Sequence, residues 1–272
     1  MHVTKQQKES FLEELWAYYA QHARHDLPWR ISEADGTFEP YKILVSEIML
    51  QQTQVQRVVM KYYEFLATFP TVEALAEAQL GDVLRMWQGL GYNRRAKYLW
   101  KAAKQIADLG NFPSEHHGLV ALPGVGPNTA GAILAYAYNQ PAIFIETNVR
   151  TVYIHAFFND ENDVTDKAIT EVLKETIDQE QPPEFYWALM DYGSYLKKHV
   201  RNNSQSKHYT KQSKFEGSNR QIRGMVLREL AEGKKSMALL TKQIDDKRLT
   251  TIIETLEQEE MISRSGETIS LR

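Results

Sequence analysis

The sequence predicts an all-α protein that ends in a small domain of helices and two short strands. Apolar residues recur at helical spacing through most of the 272 residues. Prolines and glycines separate these runs, and no long alternation of apolar and polar residues indicates a large sheet. With 43% hydrophobic residues the chain can bury a sizeable core, which excludes a disordered or low-complexity protein.

The first helix is predicted where Phe11, Leu15 and Tyr19 recur at helical spacing. After a break at Pro28, helical spacing resumes and continues over residues 43–59. Further helices of the core are predicted over 72–78, 80–87, 93–108, 128–138, 147–157, 166–178 and 184–198.

The last part of the chain has the outline of a winged helix. Three helices are predicted, over 219–232, 236–244 and 246–259. The remaining residues predict two short strands about a Ser265–Gly266 turn. An ordinary three-helix appendage is the alternative.

The composition excludes several classes of protein. The chain has no cysteine, so disulfides, thiolate zinc sites and iron–sulfur clusters are excluded. No stretch approaches the roughly 18 apolar residues of a membrane span, and the N-terminus lacks the apolar centre of a signal peptide. We therefore expect a cytoplasmic protein with no membrane partner. No spacing of histidines and acids suggests a catalytic metal.

Charge is distributed unevenly along the chain. Residues 1–192 carry a net charge of −9. Residues 193–224 contain eight lysines and arginines against the single acid Glu216, for a net charge of +7. Such a basic stretch suits an anionic polymer, although a solvated basic linker fits the charge equally well.

The segment LPGVGPNT (122–129) is typical of a hairpin between two helices. Gly124 and Gly126 allow a tight turn without a Cβ clash, and Pro127 suits the first position of the next helix. Such a turn points free N–H groups at the helix start, where a phosphate can bind. A plain helix–helix turn is the alternative.

Two acidic residues stand in unusual surroundings. Glu47 lies in SEIMLQQTQV, at an apolar and amide-rich helix start, and a carboxyl group among apolar neighbours keeps its proton more readily. Glu146 follows three apolar residues and opens a predicted helix, whose N–H dipoles are expected to keep it ionised. The first suits protonation of a leaving group and the second suits stabilisation of a developing cation. An exposed helical glutamate and a plain helix cap are the alternatives.

The chain resembles the helix-hairpin-helix DNA glycosylases and, within them, the MutY-type adenine glycosylases. The matching stretches follow the family's order over about residues 10–200: LPWR (27–30), PYKILVSEIMLQQTQV (40–55), FPTVEALAEA (69–78), WQGLGYNRRAKYL (87–99), LPGVGPNTAGAILAYAY (122–138), ETNVRTV (146–152) and WALMDYGS (187–194). The resemblance implies a glycosylase core over 1–215, with a six-helix lobe at 31–140 and a second lobe from 1–30 and 141–215. The winged-helix-like domain then occupies 216–272.

The resemblance also implies roles for single residues. Glu47 matches the acid that protonates the leaving base, Glu146 the aspartate that stabilises the sugar cation, and Asn148 the asparagine that supports this acid. The expected base-pocket residues are Trp29, Arg30, Asn128 and Trp187. The expected DNA contacts, with Tyr92 wedged into the base stack, are Gln51, Gln52, Leu90, Tyr92, Gly124, Val125, Gly126 and Thr129. The backbone carbonyls of Leu122 and Val125 are expected to suit a monovalent cation, K⁺ or Na⁺.

Four departures from the family modify these expectations. Asn128 stands where bifunctional lyases have a lysine, so no amine is available there for a Schiff base. The four cluster-binding cysteines are absent, and Glu146 is one methylene longer than the aspartate, a shift of about 1.5 Å. The winged-helix-like domain stands in place of the family's 8-oxoguanine-recognition domain. In place of the cluster loop we expect a basic segment, residues 193–215, to contact the DNA backbone through Lys197, Lys198, Lys207 and Lys211.

The sequence thus predicts a monomeric, nucleoid-associated, monofunctional enzyme without an iron–sulfur cluster. It is expected to bind double-stranded DNA with a mismatched or damaged base and to remove adenine opposite G or oxidised G. A glycosylase for T or U opposite G, or for another deaminated or alkylated base, is the first alternative. A DNA-binding module without catalysis is the second.

Overall fold

A computed structural model describes residues 3–200, 202–210 and 214–272. These residues are mostly helical and include a small three-stranded sheet near the C-terminus, which confirms the predicted fold class. The helices are α1 (Lys5–His22), α2 (Pro40–Leu50), α3 (Val55–Thr68), α4 (Val72–Glu77), α5 (Leu80–Met86), α6 (Arg94–Leu109), α7 (His116–Val120), α8 (Pro127–Tyr138), α9 (Thr147–Phe157), α10 (Asp166–Thr176), α11 (Pro182–His199), α12 (Asn219–Ala231), α13 (Met237–Gln243) and α14 (Leu249–Gln258). The strands are β1 (Lys235–Ser236), β2 (Ile262–Ser265) and β3 (Thr268–Leu271).

The elements differ from the sequence-based expectation in three places. The run predicted as helical over 43–59 is two helices, α2 and α3, separated by a turn in which Gln52 has a left-handed backbone (φ 54°). The short helix α7 and the short strand β1 were not predicted. Elements of five and two residues are too short for apolar periodicity to mark them.

Contacts divide the chain into two compact units. The first unit comprises Met1–Leu44, Ser114–Ala121 and Val125–Lys211. The second unit comprises Val45–Pro113, Leu122–Gly124 and Gln212–Arg272. The boundary expected near residue 215, between a glycosylase core and a separate domain, stays a prediction.

In the first unit, α11 packs against α1, α8 and α9. The approach of α11 to α9, and the approach of α8 to the segment before α9, both depend on glycine. A Cβ at Gly193 of α11 would lie 2.5 Å from the carbonyl oxygen of Asn148 in α9, and a Cβ at Gly131 of α8 would lie 2.8 Å from Cβ of Phe144. Phe144 in turn stacks on Tyr186 of α11, with ring centroids 3.9 Å apart. The segment before α9 is therefore packed between α8 and α11.

In the second unit, the C-terminal elements pack directly on the helices that precede them. β3 is the central strand and pairs in antiparallel fashion with β1 and β2. The three helices and the terminal hairpin are those that the sequence predicts for a winged helix, and β1 adds a strand after the first of these helices. Both α12 and β3 contact α5, where a Cβ at Gly81 would lie 3.2 Å from the carbonyl oxygen of Arg272.

Gly193→Ala is expected to lower the free energy of unfolding by about 1–3 kcal/mol, because its Cβ would overlap the backbone of Asn148. Gly224→Ala is the matched control, since Gly224 lies inside α12 and an added Cβ meets nothing within 4 Å. The control is expected to stabilise the protein by about 0.5–1 kcal/mol through helix propensity. Urea denaturation measures both changes, and equal stability of all three proteins would contradict the close approach of α9 and α11.

Candidate functional site

Glu146 is the residue immediately before α9, and its side chain makes no capping hydrogen bond to that helix. The side chain is half-buried. Burial raises the pKa of the Glu146 carboxyl, and the Arg150 guanidinium opposes this rise. The direction differs from the expectation that helix dipoles keep this acid ionised, because removal from water disfavours the charged form.

The chain on either side of Glu146 is tied to neighbouring helices. The Asn128 side chain donates to the carbonyl oxygen of Ile145 (2.8 Å) and accepts from its N–H (3.3 Å). Asn148 donates through Nδ2 to the carbonyl oxygen of Met190 in α11 (3.2 Å). The amide of Asn128, which was expected in a base pocket, is therefore used on the backbone. These bonds hold Glu146 on an ordered segment, as a reacting group requires.

Arg150 supplies the positive charge that opposes the rise in the pKa of this acid. The same guanidinium forms an ion pair with Asp166. The Nε and Nη2 atoms of Arg150 donate to the two carboxylate oxygens of Asp166 at 2.6 and 2.8 Å. Nη2 also lies 3.4 Å from the carbonyl oxygen of Ile145. Burial accordingly remains the larger influence on the pKa of Glu146.

Asp191 of α11 organises the segment that contains LPWR. Arg30 donates to both of its carboxylate oxygens (2.8 and 2.9 Å), and Arg24 donates through its backbone N–H (3.0 Å) and Nε (2.7 Å). Burial alone would raise the pKa of Asp191, but the hydrogen bonds and charges of the two arginines hold it below its ordinary value. Asp191 cannot be singled out from the sequence, since a single aspartate within a helix has no local pattern.

The remaining base-pocket candidates lie in the interior of the first unit. Trp29 and Trp187 are both buried. Trp187 stacks on Tyr136 with ring centroids 5.7 Å apart, meets Phe38 edge-on at 5.4 Å, and has the Arg30 guanidinium 5.5 Å from its ring centroid. Within this unit, Arg30 is therefore paired with Asp191, and Trp187 packs against aromatic rings and the Arg30 guanidinium.

Glu47 lies in the last turn of α2, not at a helix start as the sequence suggested. Its side chain is half-buried, while its neighbours Ser46 and Ile48 are fully buried. Glu47 is therefore flanked in the chain by one buried polar residue and one buried apolar residue.

Arg95 of α6 holds together the two loops that contain the predicted DNA contacts of the second unit. Its Nη1 donates to the carbonyl oxygens of Ile48 (2.7 Å), Met49 (2.9 Å) and Gln51 (2.7 Å). Its Nη2 donates to the hydroxyl of Thr53 (3.0 Å) and to the carbonyl oxygens of the next loop, those of Leu90 (3.1 Å) and Gly91 (3.0 Å). Burial lowers the pKa of Arg95 to about 10, which leaves it charged at neutral pH. This role of Arg95 cannot be seen in the sequence, because nothing local separates the residue from Arg94.

The side chains of these loops differ in exposure. Gln51 is half-buried and Gln52 is exposed. Tyr92 is half-buried and has a left-handed backbone (φ 47°), and the Arg95 guanidinium lies 5.6 Å from its ring centroid. The Leu90 side chain is buried, with only 3% of the residue exposed. Its carbonyl oxygen accepts a hydrogen bond from Arg95.

The turn at LPGVG has the conformation that its glycines allow. Gly124 has φ +80°, and a Cβ there would lie 2.7 Å from Cβ of Tyr98. α8 begins at Pro127, as predicted. Leu122, Val125 and Thr129 are buried, whereas both glycines of the turn are exposed. The cation expected on the carbonyls of Leu122 and Val125 stays a prediction.

The basic segment is attached to α9 where it is described. Asn202 donates to the carbonyl oxygen of Thr151 (3.0 Å), and the Thr151 hydroxyl donates to Asn203 (2.5 Å). The described lysines that were expected to contact DNA, all exposed, are Lys197, Lys198 and Lys207. Lys211 lies outside the described residues.

Over the described ranges, no cluster of three or more histidine and acidic side chains could hold a metal ion. Within those same ranges, no helix has the length and apolar character needed to cross a membrane.

Residues 45–179 match the family model described as HhH-GPD superfamily base excision DNA repair protein. This chain contains an HhH-GPD superfamily domain. The chain is 40% identical over 185 residues to an adenine DNA glycosylase of Mycobacterium tuberculosis. This alignment covers 66% of this chain and 59% of that protein. It is 34% identical over 192 residues to an adenine DNA glycosylase of Buchnera aphidicola, which covers 68% of this chain and 52% of that protein. The chain therefore spans little more than half the length of these relatives.

Solved structures show the same fold. A thermostable thymine-DNA glycosylase aligns with a TM-score of 0.62 and 22% identity, covering 71% of this chain and 88% of that chain. A trapped endonuclease III–DNA covalent intermediate aligns with a TM-score of 0.60 and 21% identity over the same shares of the two chains.

Arg95→Met is expected to lower the free energy of unfolding by roughly 3 kcal/mol or more, because buried carbonyl oxygens lose their donors. Arg94→Met is the matched control at the next position, where the arginine side chain is 61% exposed. We expect the control to cost less than about 1 kcal/mol. Urea denaturation compares the two, and an equal loss would contradict the role of Arg95 in joining the loops.

Asp191→Asn is expected to lower the free energy of unfolding near pH 7 by about 3 kcal/mol, since it leaves the buried Arg30 without its counter-charge. The folded-state pKa of Asp191 lies below its ordinary value of 3.8. The stabilisation is therefore present above that value and is lost as the pH falls through the folded-state pKa. Unfolding free energies measured from pH 7 down to about 3 should show the two proteins converging as the carboxylate is protonated. A difference that does not depend on pH would contradict the pairing.

Proposed function

We propose that this protein is a DNA N-glycosylase that removes a mispaired base from double-stranded DNA, with adenine opposite G or oxidised G as its substrate. The names of its curated relatives support adenine as the base. The chain covers only part of those relatives, so activity and substrate are proposals for this protein. The observation that carries the proposal is Glu146, a half-buried acid that caps nothing and lies on a segment held by Asn128 and Asn148.

In the proposed reaction, Glu47 donates a proton to the departing base as the bond to the sugar breaks. The bonding electrons leave with the base, and positive charge develops on the sugar. Glu146 stabilises that charge, and water adds to the sugar and releases a proton, which restores the Glu47 carboxyl and leaves an abasic site. Proton donation by a positioned acid contributes typically about 10²–10⁴-fold to such a rate.

The raised pKa of Glu146 fits this role. Its carboxylate is poorly solvated in the free protein, so a cation that forms beside it is stabilised more than the neutral substrate is. The ionised form must be present for this to occur. We therefore expect the acid limb of the pH–rate profile to lie above the ordinary value of 4.5 for a glutamate.

We further propose that the enzyme is monofunctional. The side chain at position 128 is an amide that is bonded to the backbone of Ile145, so it offers no amine for a Schiff base. Strand cleavage is then expected only after alkali, and borohydride should trap no covalent complex with DNA.

The proposed DNA contacts come from two kinds of surface. The exposed turn at Gly124 and Gly126 and the exposed lysines Lys197, Lys198 and Lys207 suit phosphates, while Gln52 and Tyr92 suit the bases. Flipping the target nucleotide costs a few kcal/mol and is least costly for a mispaired base, which supplies part of the selectivity.

A panel of labelled duplexes tests the proposal. The target pairs are A·G, A·8-oxoguanine, T·G and U·G, each with its matched duplex, and products are analysed before and after alkali. We expect alkali-dependent cleavage at adenine. Cleavage only at T or U would replace adenine by the first alternative, and tight binding without an abasic product would favour a DNA-binding module.

Glu47→Gln and Glu146→Gln are each expected to reduce single-turnover excision at least about 100-fold, because each removes a charge or proton used in the transition state. Glu146→Gln should also leave the free energy of unfolding at pH 7 equal or higher. An acid with a raised folded-state pKa destabilises the protein as the pH rises above its unfolded-state value, and glutamine lacks that effect. The exposed Glu161→Gln serves as the control. Full excision by either variant would contradict the mechanism.

A further inference from the structure

The start of α12 reaches the loop that contains Tyr92. Arg220, in the first turn of α12, donates through Nη1 to the Tyr92 hydroxyl. Its guanidinium carbon lies 5.4 Å from the centroid of the Tyr92 ring. The Arg95 guanidinium lies 5.6 Å from the same centroid. Two arginines from different parts of the second unit therefore contact one aromatic side chain.

Ion pairs hold the C-terminal elements in the position from which Arg220 reaches the tyrosine. The Glu259 carboxylate, just after α14, accepts from Arg94 of α6 and from Arg223 of α12, the latter at 2.5 and 3.2 Å. Burial alone would raise the pKa of Glu259, but these arginines hold it below its ordinary value. Lys97 of α6 donates to the backbone oxygen of Glu259 and, at 3.0 Å, to the carboxylate of Glu260. α6 and α12 are thereby linked through one acidic turn.

The backbone conformation of Tyr92 does not fix the position of its side chain, so contacts from other residues are needed to hold the ring. The residue is half-buried and has φ 47°, a left-handed conformation that disfavours a bulky side chain. Arg95 holds the loop through its carbonyl oxygens, whereas Arg220 holds the ring and its hydroxyl. A guanidinium that both hydrogen-bonds to a phenol and lies against its ring restricts the rotamers of that side chain.

We propose that Arg220 is a positioning residue that holds the Tyr92 ring ready for insertion into the DNA base stack. On this proposal, the winged-helix-like part of the chain helps to open the base stack at the mispair. It is not a separate domain that recognises damaged bases. The inference rests on the proposed function and on the expectation, implied by the family resemblance, that Tyr92 enters the stack of a mispaired duplex. It assigns a role in this reaction to a residue outside the 45–179 match.

The experiment uses the full chain and an A·G duplex with 2-aminopurine beside the mispair, whose fluorescence rises when the neighbouring stack opens. We expect Arg220→Ala to suppress this rise and to reduce the preference for mispaired over matched duplex about tenfold, the loss typical of one charge-assisted hydrogen bond. Arg228→Ala is the matched control, since it removes the same charge from an exposed position on the same helix. The control should behave as wild type does.

A second background separates positioning from direct contact with DNA. In Tyr92→Ala protein, adding Arg220→Ala should change the preference less than about twofold, because the ring that Arg220 holds is gone. An equal tenfold loss in that background would overturn the proposal in favour of a direct phosphate contact, as would wild-type behaviour of Arg220→Ala itself. Arg220→Lys, which keeps the charge without the planar fork, should lose most of the fluorescence rise and guards against misfolding of the alanine variant. Failure of the proposed function would appear separately, as absence of mismatch preference and of fluorescence rise in the wild type.

Discussion

The second unit depends on one buried guanidinium. Arg95 is 8% exposed and gives its Nη hydrogens to five carbonyl oxygens and one hydroxyl. Loops that end helices leave carbonyl oxygens without donors, and a buried carbonyl without a donor is costly. By satisfying the end of α2 and the loop before α6 together, Arg95 sets how Gln51, Gln52 and Tyr92 are presented. Its charge costs burial energy, which the lowered pKa reflects.

In the first unit, hydrogen bonds to the backbone likewise fix the position of an acid. Glu146 is held by bonds made by its neighbours rather than by its own carboxylate, through Asn128 on one side and Asn148 on the other. Gly193 allows α11 to approach closely enough for the second of these bonds. The result is a carboxyl group that burial destabilises in its charged form. Such groups are often retained where a reaction supplies the missing opposite charge.

The C-terminal elements illustrate how charge in a helix can serve packing. The predicted helix over 246–259 has more acidic than basic residues, which makes it a poor partner for phosphate. In the structure Glu259 and Glu260 pair with Arg94, Lys97 and Arg223 within the second unit. These acids join the C-terminal elements to α6.

Local sequence determined the helices, the turn at LPGVG and the terminal hairpin, because apolar periodicity, glycine and proline act over a few residues. The family and its fold also followed from sequence, since the motifs LQQTQV, GLGY and LPGVG occur in order. The break between α2 and α3 did not, because it rests on the left-handed backbone of Gln52. The direction of the Glu146 pKa was also beyond local reasoning, since burial is a property of the packed chain.

Only the tertiary structure decided which polar residues work together. Asp191 with Arg30, Arg95 with two loops, and Arg220 with Tyr92 join positions separated by 161, up to 47 and 128 residues in sequence. No periodicity connects such positions, because the contact exists only when the helices have packed. A buried charge is costly unless it is paired or hydrogen-bonded, and in this protein the partners come from residues that are distant in sequence.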